Sequence, residues 1–384
     1  MTELQDLYTD YLISATQLAT VTTASEVLGV SKDKLSRFLG GVELFTSNQL
    51  VDGVEQKKGY VKDHVAFDNQ ELWKQVKAGV RNCESVESAV LIVDDTLIEK
   101  PYSDENDIIC YHHDHCTGQS VKGINLLNGG LYYNNQDIYI PVFAEIISKT
   151  IKYIDKEGKE KRKAEVNKNE LFRNNYNQLM KNHVKIDYTL FDIWYGSVDN
   201  FNLINSHKQN YICPLKSNRK LALSLGEKKK GKWYKLEEIT NQLETQNTLP
   251  VWLESCTHMS YLTKQVFTNK DGTSITMYLI TNDQNLTKNQ IHSIYQRRWK
   301  VEEFHKSLKS NLSLEKSPTK HKTSQSNHIF YSITAFFKLE LLTKTTATKH
   351  KNHFQLKASL YVKALKTALE ELGKLKLMVL GCER

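Results

Sequence analysis

Several sequence features that mark common protein classes are missing from this chain. Its six cysteines are scattered and form no C-x-x-C pair. No apolar run approaches the roughly 20 residues that a membrane helix needs, residues 1–10 show no signal-peptide pattern, and no internal repeat is evident. We therefore expect a cytoplasmic protein with free thiols and no membrane partner.

The composition is that of an ordinary globular protein with a basic balance. The chain has 384 residues, enough for two or three domains, with 40% hydrophobic and 25% charged residues. Its 52 Lys and Arg exceed its 44 Asp and Glu, which gives a formal net charge of +8. This charge is compatible with a polyanionic partner, because cationic side chains near phosphates release counterions. It does not by itself establish nucleic-acid binding.

Residues 1–80 are predicted to form a helical N-terminal region that binds DNA. Within it, residues 24–38 have the form of a helix-turn-helix, with Gly29 at the turn and Ser31 as a cap. Arg37 would then contact DNA. Because such patterns also arise by chance, an ordinary helical hairpin is an equally good interpretation.

From about residue 88 the pattern changes to that of an α/β fold. Residues 89–93 are a continuous β-branched run, typical of a strand buried on both faces. The remaining elements of this region are strands at about 122–134, 137–147, 186–191 and 211–215, and helices at 161–182 and 198–208. The order predicts a mixed sheet with covering helices, and we assign residues 88–216 to its first part.

Residues 217–283 interrupt this pattern and are predicted to be a β-rich insertion, and residues 284–345 complete the core. The insertion holds the basic run 228–232 followed by Trp233, which is either a DNA-binding loop or a solvated one. Helices are predicted at 288–312, 325–343 and 353–374. The apolar residues of the last helix, in the tail 346–384, favour ordinary packing over a dimerisation zipper.

Two of the predicted strands end in aspartates. Asp94 and Asp95 follow the strand 89–93, and Asp192 follows the strand 186–191. Neighbouring strands would bring these carboxylates to one edge of the sheet, where they could bind metal. Polar strand ends are common, however, so either strand end alone is weak support.

A sharper pattern occurs in the predicted helix 288–312. Tyr295, Arg298, Glu302 and Lys309 follow the spacing Y-x2-R-x3-E-x6-K, which places all four near one helical face. An ordinary amphipathic helix would have apolar residues there. The adjacent Glu303 would point about 100° away from Glu302.

This motif resembles the Y-R-E-K signature of bacterial insertion-sequence transposases of the IS four group. Asp-Asp-Thr also resembles the first acidic site of that family, in which the Asp before Thr is the ligand, so the resemblance indicates Asp95 rather than Asp94. It assigns the second and third acidic sites to Asp192 and Glu302. It also implies a ribonuclease-H-like catalytic core with the β-rich insertion.

The resemblance implies a DNA transposase that cleaves at the ends of an insertion sequence and joins them to target DNA. Asp95, Asp192 and Glu302 would be catalytic and hold two Mg²⁺ or Mn²⁺ ions. The partners would be double-stranded DNA, both terminal repeats and target, and a second copy of the chain in the DNA complex of the bacterial nucleoid. The expected DNA-contacting residues of the core are Tyr295, Arg298, Lys306 and Lys309.

Three other interpretations stay open. Residues 112–116, His-His-Asp-His-Cys, could suggest zinc, but consecutive residues cannot all face one ion. A non-transposing nuclease of the same fold would keep the three carboxylates. A decayed element would only bind DNA.

Overall fold

The structure is a computed structural model of the whole chain. It describes residues 3–15, 19–41, 43–51, 54–62, 67–113, 118–239, 243, 247–268, 272–317, 319, 321–345 and 352–380, with only the backbone within 43–62 and at 268, 345 and 379–380. Among these residues, no helix combines the length and apolar character needed to cross a membrane.

The chain divides into two compact units. The first, here the helical unit, comprises residues 1–76, 98–104 and 304–384, and the second, the sheet unit, comprises residues 77–97 and 105–303.

The sheet unit holds most of the strands. Its helices are α4 (Asn69–Glu84, which begins in the helical unit), α5 (Lys168–Lys181), α6 (Val198–Ser206), α7 (Leu225–Lys229) and α8 (Lys288–Gln296). Its core strands are β3 (Ala89–Glu99, whose last two residues belong to the helical unit), β4 (Cys110–His113), β5 (Ser120–Tyr133), β6 (Ile138–Ile146), β9 (Ile186–Phe191) and β10 (Asn210–Pro214). A small hairpin, β7 (Ile151–Ile154) and β8 (Glu160–Lys163), pairs with itself.

The central sheet is mixed, which confirms the predicted fold class and agrees with a ribonuclease-H-like transposase fold. β3 lies between β9 and β5, and it pairs with β9 in parallel with Val93 opposite Phe191. The five residues 89–93 are fully or almost fully buried, as a central strand requires. The two strands that end in aspartates are therefore direct neighbours.

The insertion extends this sheet. Its strands are β11 (Lys220–Ala222), β12 (Tyr234–Lys235), β13 (Leu249–Leu253), β14 (Ser260–Thr268) and β15 (Ser274–Thr281). β15 returns beside β10 in antiparallel pairing, and the order continues through β14, β13 and β11 to β12. The prediction of a β-rich segment is confirmed.

Two helix predictions in the core are wrong in part. The helix expected over 161–182 begins only at Lys168, because residues up to Lys163 form β8. The helix expected over 288–312 is broken into α8 and α9 (Trp299–Asn311). At the break, the amides of Arg297 and Arg298 bond to carbonyls three residues earlier, the tighter pattern of a 3₁₀ turn.

The helical unit is built around α10 (Lys322–Thr345), which packs on α1 (Glu3–Ser14). The buried Tyr8 hydroxyl of α1 hydrogen-bonds to Nδ1 of His328 at 3.0 Å. Tyr8, Phe38, Phe67 and Tyr331 form an aromatic cluster around it. This cluster joins distant parts of the chain into one core.

The N-terminal segment contains two short helices joined by a turn at Gly29. α2 (Val21–Leu28) ends at Gly29 with φ 62°, and α3 (Lys32–Leu39) begins after Ser31, whose hydroxyl accepts from the Lys34 amide. The prediction that residues 1–80 are mostly helical is wrong at 43–62. There the backbone forms an antiparallel hairpin of β1 (Glu43–Val51) and β2 (Val54–Lys62).

The C-terminal helix α11 (His353–Leu380) begins at the buried His353. The prediction that its apolar residues pack within the chain is wrong from Leu360 onward. The exposed apolar side chains include Leu365 at 42%, Leu369 at 66% and Leu372 at 46%.

Candidate active site

Asp94 and Asp95 are consecutive residues of β3, so their side chains point to opposite faces of the sheet. Each carboxylate consequently has its own set of partners. Both sets lie within the sheet unit, and both side chains are largely buried, with 16% and 20% exposed.

A single arginine, Arg298, contacts both Asp94 and Glu302. The Arg298 guanidinium lies 3.0 Å from Oδ2 of Asp94 and 3.2 Å from Oε1 of Glu302. A carboxylate oxygen of Asp94 and one of Glu302 lie within 4.8 Å of each other. Two carboxylates at this separation repel each other unless a cation lies beside them or one of them is protonated, and in this structure Arg298 supplies a positive charge.

Asp95 is held by three other residues. Its Oδ2 accepts hydrogen bonds from Lys168 Nζ at 2.7 Å and Asn125 Nδ2 at 2.9 Å. Its Oδ1 accepts from the Tyr195 hydroxyl at 2.8 Å. These partners come from α5, β5 and the turn after β9, so Asp95 ties three elements to β3.

The two carboxyl groups differ accordingly in acidity. Burial is the main cause that raises the pKa of Asp94 to about 7, reinforced by the negative charges of Asp95 and Glu302 and opposed by Arg298. Burial also acts on Asp95, but Lys168, Asn125 and Tyr195 together outweigh it and hold its pKa below the ordinary value. The protein therefore stabilises the ionised form of Asp94 less than the ionised form of Asp95.

Asp192 follows the last residue of β9 and is half-buried. Because Val93 pairs with Phe191, Asp192 follows β9 at the level of Asp94 on β3. Its charge acts on Tyr295 and Arg298, the same two residues on which Asp94 acts. The two strand ends that carry aspartates are therefore neighbours in the sheet.

Glu303, the alternative to Glu302, points elsewhere. It pairs with Lys300 at 3.2 Å, and Lys300 also pairs with Asp137 at 2.9 Å. Glu302 is the residue of the two that contacts Arg298.

The expected DNA-contacting residues of the core are divided between the two units. Tyr295 is buried to 9% exposure and, with Arg298, Met277, Gln296 and Trp299, lines a cavity of about 420 Å³. Burial raises the pKa of Tyr295, which keeps its hydroxyl protonated. Lys306 and Lys309 belong to the helical unit, where Lys306 is exposed and Lys309 pairs with Glu315 at 3.1 Å.

Arg37, the predicted DNA contact of α3, is 38% exposed and pairs with Asp33 one turn earlier in the same helix. The pairing leaves the helix-turn-helix prediction open, because surface ion pairs of this kind are weak.

The histidine motif is only partly covered, since residues 114–117 lie outside the described part of the chain. His112 is buried in β4 and His113 is exposed, as alternation requires. Burial, with Lys149 and Lys168, lowers the pKa of His112 to about 4. These two histidines face opposite sides and do not form a shared metal site.

The basic run of the insertion makes local contacts. Nζ of Lys228 lies 4.7 Å from the centre of the Trp252 ring, and Nζ of Lys232 lies 5.0 Å from that of Tyr234. A larger cavity, of about 650 Å³, is lined by Lys216, Arg219 and other residues beside α6. The sequence patterns gave no indication of this cavity, whose lining also includes Asp199 and Glu254.

Sequence reasoning also missed the three partners of Asp95. Asn125 carried a usable signal, because a polar residue inside the apolar strand 124–127 needs a buried partner. Lys168 and Tyr195 carried none, since both positions suit ordinary surface or core residues.

Residues 159–337 match the family model of the transposase DDE domain. The matched segment contains Asp192, Tyr295, Arg298 and Glu302, whereas Asp94 and Asp95 lie before it. The match supports a DDE transposase, and with it an enzyme of the transposase or nuclease type. A comparison with curated proteins gave no match.

Proposed function

We propose that this protein is a DNA transposase of the IS four group, which cleaves DNA at the ends of an insertion sequence and joins them to target DNA. The observation that carries the proposal is the approach of one β3 carboxylate, that of Asp94, to within 4.8 Å of the Glu302 carboxylate of α9, with Asp192 at the end of the neighbouring strand β9. Two of them, Asp192 and Glu302, lie inside the matched DDE segment.

The donor set suits divalent ions such as Mg²⁺ or Mn²⁺, because carboxylate oxygens are the ligands these hard cations prefer. Asp192, Glu302 and a member of the Asp94–Asp95 pair would hold two ions; the sequence resemblance favours Asp95. When bound, such ions activate the attacking water or 3′-hydroxyl and stabilise charge on the leaving oxygen. No side chain of the protein then needs to act as a nucleophile.

The cationic residues near the carboxylates would position DNA. Arg298 and the protonated Tyr295 hydroxyl lie beside the acidic group and can donate to phosphate oxygens. We assign the same role to Lys306 and Lys309, and to Arg37 in the helix-turn-helix. The net charge of +8 favours such a polyanionic partner.

Pairing of two DNA ends needs two copies of the chain, and we propose a homodimer. The exposed stripe of α11, with Tyr361, Leu365, Leu369 and Leu372, supports this proposal. Their spacing of three or four residues puts them on one helical face. Contiguous exposed apolar surface of this kind is typical of a protein interface.

The decisive experiment measures nicking and strand transfer by the full chain with Mg²⁺ or Mn²⁺, on DNA carrying the ends of its own element. Glu302→Gln keeps the size of the side chain but removes its charge, and should lower both rates by about three orders of magnitude. Glu303→Gln is the matched control and should leave both rates close to those of the unmodified protein.

The alternatives give different results. Metal-dependent nicking without strand transfer would indicate a non-transposing nuclease. DNA binding with no cleavage by the unmodified protein would indicate a decayed element. Equal activity of the unmodified protein and Glu302→Gln would refute the three-carboxylate site.

A further inference from the structure

We infer that Asp94, and not Asp95, is the carboxylate of β3 that holds metal, and that Asp95 is a positioning residue. This inference rests on the proposed function and assigns its first acidic site differently from the sequence resemblance. It follows from which face of the sheet each aspartate occupies.

The first argument is the position of Glu302. A metal site needs its carboxylates on one side of the sheet, and Asp94 is the member of the pair whose oxygen lies within 4.8 Å of a Glu302 oxygen. Arg298 contacts both of them. Asp95 points to the opposite face, because side chains alternate along a strand.

The second argument is the register of the two parallel strands. The ladder ends with Val93 opposite Phe191. Asp94 and Asp192 are the next residues, and Asp192 keeps an extended backbone with φ −74° and ψ 166°. Residues paired across neighbouring strands project to the same face. Asp94 therefore shares a face with Asp192 as well as with Glu302.

The third argument is the bonding of Asp95. Both of its oxygens already accept hydrogen bonds, from Lys168, Asn125 and Tyr195 at 2.7–2.9 Å. A divalent ion at Asp95 would bring its charge close to the Lys168 ammonium and would have to displace buried donors, each left without a partner. The oxygens of Asp94 also accept hydrogen bonds, Oδ1 from the Asp95 amide and Oδ2 from Arg298. An ion between Asp94 and Glu302 leaves the backbone bond in place, because a carboxylate oxygen has more than one acceptor site, and displaces the Arg298 guanidinium, which is then free to contact a DNA phosphate.

Asp95 then acts as a positioning residue through its hydrogen bonds. Its bonds to Lys168 and Tyr195 tie the beginning of α5 and the turn after Asp192 to β3. Tyr195 is three residues from Asp192, so the Asp95 hydrogen bond fixes the backbone that carries the second acidic site.

Cysteine substitutions test the assignment through the metal itself, because a thiolate ligand prefers softer ions. We would titrate the full-length Asp94→Cys and Asp95→Cys proteins with Cd²⁺ and follow the thiolate-to-cadmium absorption band, subtracting the signal of the unmodified protein. The inference requires a new band in Asp94→Cys and none in Asp95→Cys. A band only in Asp95→Cys overturns it.

Asparagine variants provide the second measurement, Mn²⁺ binding followed by the loss of the free-ion electron paramagnetic resonance signal. Asp94→Asn should weaken Mn²⁺ binding more than about tenfold with the circular dichroism spectrum unchanged. Asp95→Asn and Lys168→Met should keep Mn²⁺ binding within about threefold while lowering the melting temperature. Retained binding in Asp94→Asn with loss in Asp95→Asn overturns the assignment.

Failure of the proposed function would give a different pattern of Mn²⁺ binding among the variants. If Asp192→Asn and Glu302→Gln also bind Mn²⁺ like the unmodified protein, the whole carboxylate site is wrong. If those two lose Mn²⁺ and Asp94→Asn does not, only the choice between the two aspartates is wrong.

Discussion

The guanidinium of Arg298 lies 3.0 Å from Asp94 and 3.2 Å from Glu302, so one cation neutralises two carboxylates that come from different parts of the chain. Asp94 and Arg298 are mostly buried and Glu302 is 41% exposed, which keeps the interaction stronger than a surface ion pair but weaker than a fully buried one.

Removal of the Arg298 guanidinium should make the stability of the folded protein depend more strongly on bound metal. We expect Arg298→Gln to lower the free energy of unfolding by about 1–3 kcal/mol without metal, because two carboxylates then face each other without compensation. Added Mn²⁺ should raise its melting temperature more than that of the unmodified protein, since the ion binds the folded state. Differential scanning fluorimetry with and without Mn²⁺ measures both effects.

The control for that experiment is Arg297→Gln, which removes the neighbouring arginine. An equal metal-induced rise in Arg298→Gln and Arg297→Gln would contradict the role of Arg298 as the neutralising cation.

His328 should make the stability of the helical unit decrease at acidic pH. Burial lowers its pKa to about 4, while the Tyr8 hydroxyl donates to Nδ1 and Nε2 donates to the Ser313 carbonyl. The unfolded-state pKa is about 6.5, so the folded state binds fewer protons between these values. The stabilising contribution is therefore complete above about pH 6.5 and is lost as the pH falls towards 4.

Urea unfolding at a series of pH values measures this contribution. His328→Gln should be less stable than the unmodified protein near neutrality and should lose less stability on acidification. Parallel pH profiles for the two proteins would show that His328 does not titrate on unfolding.

Gly130 should tolerate no side chain. A Cβ atom built there overlaps the Tyr139 ring across the β5–β6 pair, next to an irregularity in the register between Gly129 and Gly130. Gly130→Ala should therefore cost about 2 kcal/mol or more in the free energy of unfolding. Gly226→Ala is the control, because its nearest neighbouring atom is 3.8 Å away, and it should change stability by less than about 0.5 kcal/mol.

The apolar stripe of α11 should mediate self-association. Leu365→Lys combined with Leu372→Lys places charges on that face, and should shift the protein towards monomers in sedimentation velocity at equal concentration. Met378→Lys adds a charge on a different face of the same helix, about 120–140° away from Leu365 and Leu372, and should leave the distribution unchanged. Identical sedimentation of all three proteins would exclude α11 as the interface.

The sequence was sufficient to predict that the two aspartate-bearing strands are neighbours, but not which aspartate faces α9. The run 89–93 is apolar at every position because β3 is buried on both faces. Such a strand shows no alternation, so its sequence does not reveal to which face the next residue points. The family resemblance then favoured Asp95, whereas the packing around Arg298 favours Asp94.

The other errors also come from tertiary interactions. Nothing in residues 296–299, which include no Gly or Pro, marks the helix break before α9. Likewise the charged residues 160–163 suit a helix as well as the β-hairpin that they form with β7. Helical geometry separates adjacent residues and favours Glu302 over Glu303 as the third acidic site, and of the two it is Glu302 that contacts Arg298.

The antiparallel pairing of β10 with β15 has a consequence for how the chain can change over evolution. Leu215, just after β10, bonds to Tyr278 of β15 at 2.9 Å, so the chain leaves and re-enters the core at one place. The segment between Leu215 and Tyr278 is therefore one long connection between two paired strands, and topologically it corresponds to the loop of a hairpin. Lengthening or shortening it costs little closure entropy, and need not alter the register of β3 and β9. This segment can therefore change in length while the carboxylates of β3 and β9 keep their positions.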